Sequence, residues 1–303
     1  MQIFLTGATG FVGRHMLSRL LTEGHAVRIL LRFPEKQARL LAFSQSEMPG
    51  WREKLAVVPG DVVTGVGLDS GIQGCDAVIH LVGIIVEKGK NTFEAVHHLG
   101  TRNAVEAAKR NGIKRFIQMS ALGVRAEGVA AYQTSKWKGE EEVRGSGIPY
   151  CILRPSLIFG PGDGFVTQMM DMMRKAPLFR PVPGNGKAKY RPVFIDDVTA
   201  CFARALSTEA ATHQTIALGG ADELSLNEIL TEIARCAGVR KPAVHMPLPL
   251  MFAAAGLAQT LLPNPPVTVD QLRMLREGST CDIGPMKRIF GIEPKGFRGC
   301  GRS

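Results

Sequence analysis

Paired cysteines are missing from this chain. Its six (Cys75, Cys151, Cys201, Cys236, Cys281 and Cys300) are scattered, with no C-x-x-C pair. That argues against a disulfide framework or a zinc site, and for reduced thiols in a cytosol-like compartment. The seven histidines show no metal-ligand spacing. His97 and His98 are adjacent, a poor geometry for chelation from one helix face, so no metal is expected. Long apolar runs are also lacking. The nearest, Leu248–Leu262, spans 15 residues, too short for a membrane crossing. Prolines at 247, 249 and 263 bracket it. It reads as a buried or interface helix, with contact to a membrane surface or another protein as the alternative. No leader is expected, because Met1 runs at once into a core strand.

Acidic residues are in short supply: 27 Asp and Glu face 37 Lys and Arg, for a net charge of +10. No nucleic-acid fold signature or aromatic stacking motif accompanies that balance, so no nucleic-acid partner is expected. Part of the charge suits an anionic cofactor. The stretch after Gly284 brings Lys287, Arg288, Lys295, Arg298 and Arg302 against Glu293 alone. It reads either as solvated surface or as a patch for anionic lipid or an acidic partner. The expected location is cytoplasmic, with a position at the edge of a membrane as the alternative.

What the chain does have is a strand, a glycine turn and a helix at its start. The apolar Gln2–Leu5 runs into Gly7, Gly10 and Gly13, and Val12, Met16, Leu17, Leu20 and Leu21 then recur at helical spacing. Glycine at the turn lets backbone approach a pyrophosphate, and a helix N-terminus offers it free N–H groups and a positive dipole end. A second strand, Ala26–Leu31, ends at Arg32, 19 positions beyond Gly13. An acid there would bond the ribose 2′-hydroxyl of NAD, whereas a guanidinium suits a 2′-phosphate. NADP(H) is therefore favoured, with NAD(H) and a merely solvated Arg32 left open.

Strands and helices alternate as far as residue 155. After the first two strands come Leu55–Pro59, Ala77–Leu81, Arg115–Met119 and Tyr150–Arg154; helices are predicted over Asn91–Asn111 and Tyr132–Ser146. Pro34–Arg52 reads as a helix with a loose connection. The pattern predicts an α/β fold, a Rossmann-type doubly wound parallel sheet. Residues 1–155 would form the NAD(P)-binding domain. Residues 156–303 would form a smaller lobe facing substrate or partner, partly returning to the sheet. Within it, Leu226–Ala237 reads as an amphipathic helix capped by Ser225.

Tyr132 and Lys136 are four apart, one helical turn on the same face. An ammonium beside a phenol lowers the phenol's pKa and helps it exchange a proton with a carbonyl or alcohol. Lysine can also hold the cofactor ribose. Ser120 precedes Tyr132 by 12 residues and follows a strand end, where parallel-sheet ligands bind. It could orient the substrate oxygen. Alone, a Tyr-x-x-x-Lys pair is usually surface helix; behind a dinucleotide motif it points to hydride transfer.

The segments TGATGFVG (6–13), GDV (60–62), DAVIHLVG (76–83), HLGTRNAVEAAKRNGIKRFIQMSALG (98–123), YQTSK (132–136), LRPSLIFGPGD (153–163) and RPVFIDDV (191–198) together resemble the short-chain dehydrogenase/reductase superfamily, in its extended or atypical branch. HLGTRN, IKRFIQMSALG and the short Ser-to-Tyr interval are most similar to the branch holding the dehydrogenase-like accessory subunit of respiratory complex I and its bacterial relatives. The resemblance implies that Gly7, Thr9, Gly10, Phe11, Val12 and Gly13 hold the pyrophosphate and Arg32 the 2′-phosphate. It places Asp61 and Val62 at the adenine, and Leu81, Val82 and Gly83 on the path to the nicotinamide. Pro155 and Ser156 would pack near that ring. Tyr132 and Lys136 would be the acid/base pair, with Ser120 assisting. His97 stands where the superfamily often has asparagine, which departs from any asparagine-dependent proton relay.

The leading expectation is an NADP(H)-dependent oxidoreductase acting on a carbonyl, alcohol or quinone-related substrate. A second reading is a cofactor-bound structural or assembly subunit of a respiratory or quinone-related membrane complex. A third is an NAD-dependent nucleotide-sugar epimerase or dehydratase, with Arg191 directed to a substrate diphosphate and His97 near the substrate.

Overall fold

The computed structural model describes residues 1–33, 50–262, 265 and 267–297. Seven parallel strands form the central sheet: β1 (Gln2–Thr6), β2 (Ala26–Leu31), β3 (Leu55–Pro59), β4 (Ala77–His80), β5 (Arg115–Met119), β6 (Tyr150–Pro155) and a strand from late in the chain, Gln214–Leu218. Their spatial order is Gln214–Leu218, β6, β5, β4, β1, β2, β3. The chain winds outward from β1 through β2 to β3, then crosses back to build β4, β5 and β6 on the other side. The carboxyl ends of β1 and β4 thus diverge into a crevice, where open α/β sheets bind ligands. The predicted α/β architecture is the observed one.

Each strand is apolar because helices cover both faces of the sheet. One face carries α1 (Phe11–Thr22), whose Val12, Met16, Leu17, Leu20 and Leu21 are buried as the periodicity predicts. Against α1 lies a second helix, Ile195–Ala205. The opposite face packs Phe4, Val78, Phe116 and Ile152 with Leu68 and Ile72 of α2 (Leu68–Ile72) and Ala104, Val105 and Ala108 of α3 (Gly100–Arg110). Over α3 lies α4 (Ala131–Arg144).

Two sequence expectations change. The helix predicted over Asn91–Asn111 begins as a π-helical segment, Glu94–Leu99, before continuing as α3. The later residues were expected to return partly to the sheet, but the strand that does so, Gln214–Leu218, was not located: Gln214 and Thr215 are exposed, and only Ile216 and Leu218 are buried on this short edge. Cys75, Cys151, Cys201 and Cys281 are free thiols. Most of the predicted Pro34–Arg52 helix falls on 34–49, outside the described residues. Arg298 and Arg302 of the basic tail lie outside them too.

The described part of that tail is not a free arm. Met286, Phe290, Ile292 and Phe297 are buried, and the Phe297 ring meets Phe159 edge-on at 4.9 Å. The Lys295 amide donates to Asp197 at 2.7 Å, and Lys287 pairs with Glu293.

Gly139 lets α4 pack closely on the Glu94–Leu99 segment. A Cβ there would lie 2.3 Å from the backbone oxygen of His97, too close for the helix to keep its place. Gly139→Ala should lower unfolding stability by about 1–3 kcal/mol in a urea titration. Gly164→Ala, at a position with nothing within 4 Å, should be neutral or slightly stabilising.

Candidate active site

The crevice beside β1 and β4 is a cleft of about 210 Å³. Gly7, Thr9, Gly10, Arg32, Asp61, Val62, Leu81, Val82 and Gly83 line it, as expected for a dinucleotide groove. Its shape follows from missing side chains. Gly7 has a φ of +77°, and a Cβ on it would sit 2.9 Å from the Leu81 carbonyl carbon. Gly13 would thrust a Cβ to 2.0 Å from the Gly7 oxygen. These two positions bring the turn, β4 and α1 together. Phe11, Val12 and Gly13 open α1 rather than line the cleft, and Val12 is core. The first helical bond runs from the Arg14 amide to the Gly10 carbonyl at 3.0 Å. No side chain caps the helix and its first turn holds no acid, so its positive end is available to an anion.

Arg32 is exposed at the mouth. Its guanidinium donates to Asn91 Oδ1 at 2.8 Å, lies 3.7 Å from the Asp61 carboxylate and stacks on the Phe33 ring at 4.6 Å. Asn91, Phe33, Val63 and Ile84 also line the cleft and were not singled out from the sequence. Asn91 and Ile84 come from the loop after β4, where spacing offered no signal. Phe33 and Val63 directly follow residues that were named.

Next to the cleft, α4 supplies Tyr132 and Lys136, and the end of β5 supplies Ser120. Lys136 is buried and its ammonium donates to the Met119 carbonyl at 3.2 Å, immediately before Ser120. Its Nζ lies 5.7 Å from the centre of the Tyr132 ring. Burial pulls the lysine down to about 8, against the raising field of Glu140. Glu140, fully buried one turn further on, is held by Arg154 (2.8 and 2.5 Å) and Arg144 (2.5 Å). Burial pushes the Tyr132 phenol up, the reverse of the lowering expected from its lysine neighbour. The half-buried ring loses more from dehydration of a phenolate than Lys136 returns. The phenol therefore keeps its proton at neutral pH.

Ser120 is buried and its hydroxyl has no partner among the described residues. A buried polar atom left unpaired is destabilising by itself.

His97 is buried beneath Tyr132. Its Nε2 accepts from the Ile84 amide at 3.0 Å, leaving the ring proton on Nδ1 to donate to Ser135 Oγ at 2.9 Å. Ser135 passes a hydrogen bond on to the Tyr132 carbonyl at 3.0 Å. The imidazole stacks on Phe93 (5.5 Å) and meets Tyr132 edge-on (5.2 Å). Burial first, then the Lys136 charge, holds it down to about 2, so His97 is neutral and ties the Gly83–Ile84 loop to α4.

Sequence reasoning also missed His80. It lies in a polar row across the sheet, with Thr6, His80 and Gln118 in register on neighbouring strands. Thr6 Oγ1 bonds its Nδ1 at 2.8 Å, while its Nε2 and Gln118 Oε1 have no partner. Burial, with Lys136 second, holds this ring down to about 3. Its position in DAVIHLVG, polar where a strand faces the core, was the available signal.

Pro155 ends β6, and Ser156 Oγ donates to the Ser279 carbonyl at 3.0 Å. Arg191 stands apart from the cleft lining: it pairs with Glu223 at 3.4 Å and donates to the Ala221 carbonyl at 3.3 Å. Among the described residues, no group of three or more His, Cys, Asp or Glu could hold a metal.

Strand, glycine turn, unobstructed helix end and crevice define a dinucleotide-binding α/β protein. The chain belongs to the NAD(P)H-binding family, which matches residues 7–169, and it is an oxidoreductase-like member of it. It is 29% identical over 267 residues to a ceramide reductase from Caulobacter vibrioides, covering 87% of this chain and 80% of that one. It is 27% identical over 279 residues to the mitochondrial NADH dehydrogenase [ubiquinone] 1 alpha subcomplex subunit 9 of Arabidopsis thaliana, covering 89% and 68%. This bears out the resemblance to the complex I accessory branch. Among solved structures, UDP-glucuronic acid 4-epimerase from Bacillus cereus superposes with a TM-score of 0.75 at 19% identity, over 97% of this chain and 94% of that one. That likeness is one of fold.

Lys136 yields the pH signature of the site. An anionic dinucleotide bound beside Lys136 would be held best while the ammonium keeps its proton, which in the free protein is lost as pH rises through about 8. Affinity measured by fluorescence titration should therefore be flat below that pH. Above it, affinity should fall by about tenfold per pH unit. Lys136→Arg should remove the break.

Proposed function

We propose that the chain is an NADP(H)-dependent oxidoreductase that interconverts a carbonyl and an alcohol. The observation that carries the reading is the unpartnered hydroxyl of Ser120, set beside a lysine that bonds the preceding carbonyl and a tyrosine on the same helix face. A bound nicotinamide would supply or accept the hydride at the substrate carbon. Ser120 would donate a hydrogen bond to the substrate oxygen and fix its position. Tyr132, which holds its proton, would deliver it to that oxygen as reduction proceeds, and would take it back in the oxidising direction. Lys136 would bind the ribose and offset the charge left on the phenol. Tyr132→Phe should lower turnover of NADPH against a panel of ketones and quinones by about 10²–10⁴-fold while leaving cofactor affinity nearly unchanged. Unaltered turnover would refute the role.

Arg32 supports NADP(H) over NAD(H), since its guanidinium borders the cleft and already binds two oxygen acceptors. A 2′-phosphate would exchange the Asp61 and Asn91 contacts for a charge-assisted pair. Arg32→Ala should weaken NADPH binding by about tenfold or more and leave NADH binding within about twofold, compared by parallel titrations. Equal losses for the two cofactors would assign Arg32 to the groove in general.

A second reading, a cofactor-bound subunit of a respiratory complex, is favoured by the likeness to the Arabidopsis subunit. In that role the dinucleotide would brace the fold, and Tyr132→Phe would leave assembly intact.

A further inference from the structure

The helix α5 (Leu248–Leu261) has no charged residue and only Ala255 is buried. Leu250, Ala253, Ala254, Leu257 and Leu261 recur at helical spacing and are all exposed, Leu250 at 57%, Leu257 at 61% and Leu261 at 69%. A surface helix normally turns polar residues outward; this one turns a leucine stripe outward. Strand Arg180–Pro183 pairs in parallel with Ala243–Met246, which leads through Pro247 into α5, and Leu178, 77% exposed, precedes that strand at the end away from the start of α5.

The two segments that build this apolar layer carry one sign of charge, while Glu228, paired with Lys189 at 3.5 Å, and Asp270 come from helices beside them. From Met172 to Tyr190 and from Ala237 to Val269 there are seven Lys and Arg and no Asp or Glu. Lys241 bonds the carbonyls of Met173 and Arg174 at 3.1 and 2.9 Å, which draws the two segments together. Arg174, Lys175, Lys187 and Arg240 are exposed around the layer. An apolar stripe bordered by cations complements the acyl boundary and the phosphates of an anionic lipid surface. A second copy of this chain would bring the same positive charges against one another.

We propose that this face seats on an anionic lipid bilayer, with the α5 stripe in the acyl boundary and the basic border on the headgroups. No helix among the described residues is long and apolar enough to cross a membrane, so the attachment is peripheral. The seat is joined to the candidate active site. The Val269 amide donates to Gln259 of α5 at 2.8 Å and opens the helix Val269–Glu277. At one end of that helix Asp270 accepts from the Ala131 amide at 3.1 Å, and at the other Glu277 accepts from Gln133 at 2.7 Å. Ala131 and Gln133 flank Tyr132, so the lipid seat and the start of the catalytic helix share one support. The proposal rests on this surface and not on what the cleft turns over.

The test is co-sedimentation of the full chain with phosphatidylcholine vesicles, with and without about 30% phosphatidylglycerol. The protein should sediment with the anionic vesicles at low salt, not with the neutral ones, and release severalfold as salt is raised. The triple substitution Leu250→Glu, Leu257→Glu, Leu261→Glu should abolish sedimentation while leaving NADPH titration unchanged, which shows that the variant is folded. Arg174→Glu with Arg240→Glu should weaken binding and reduce its salt dependence. No sedimentation at low salt, or sedimentation indifferent to the leucine substitutions, would overturn the proposal. So would a dimer in light scattering that the same substitutions convert to monomer, because the face would then belong between copies.

Discussion

A Cβ on residue 13 would come within 2.0 Å of the Gly7 oxygen, and one on residue 7 within 2.9 Å of the Leu81 backbone. Because both atoms are absent, α1 can begin directly above the turn, and β4 can lie close beside it. The close approach sets the width of the crevice and turns the start of α1 toward it. Any side chain at either position would drive the helix from the sheet before a ligand entered. The cofactor groove is thus a packing solution first and a binding site second.

On the far side of that groove the governing condition is dehydration. His80, His97 and Lys136 share one buried region, and each is displaced toward its neutral form. Two neutral imidazoles beside one ammonium keep the charge localised on Lys136, where Glu140 and the Met119 carbonyl can support it. Tyr132 responds to the same dryness in the opposite sense and retains its proton. One environment therefore produces both an ammonium that gives up its proton more readily and a phenol that holds its own.

The parts legible in the sequence were those whose physics is local. Glycine spacing, the apolar run of each central strand, and the Tyr132–Lys136 interval all depend on neighbours within one or two turns. They led to the crevice and to the three side chains that the fold brings to its edge. What escaped depends on contacts far along the chain. Gln214–Leu218 is a strand because β6 offers it a free edge, and its own five residues say little. His80 looks like an ordinary strand residue until Thr6 and Gln118 fall into register beside it. The tail from Lys287 reads as a basic arm, yet Met286, Phe290 and Phe297 anchor it in the core. The phenol's pKa was misjudged because charge spacing is visible in a sequence and burial is not.

The π-helical segment Glu94–Leu99 holds one residue more per turn than the α-helix that continues it. Within it two adjacent histidines serve different neighbours: His97 reaches Ile84 and Ser135, while His98 bonds Glu94 and Glu142. Losing a single residue there would restore the ordinary helical pitch and rotate the preceding turn by about 100° relative to α3. His97 would leave the Ile84 amide without any change in its identity. The segment is therefore sensitive to length more than to composition, and a homologous chain could replace His97 more readily than it could shorten the turn that presents it.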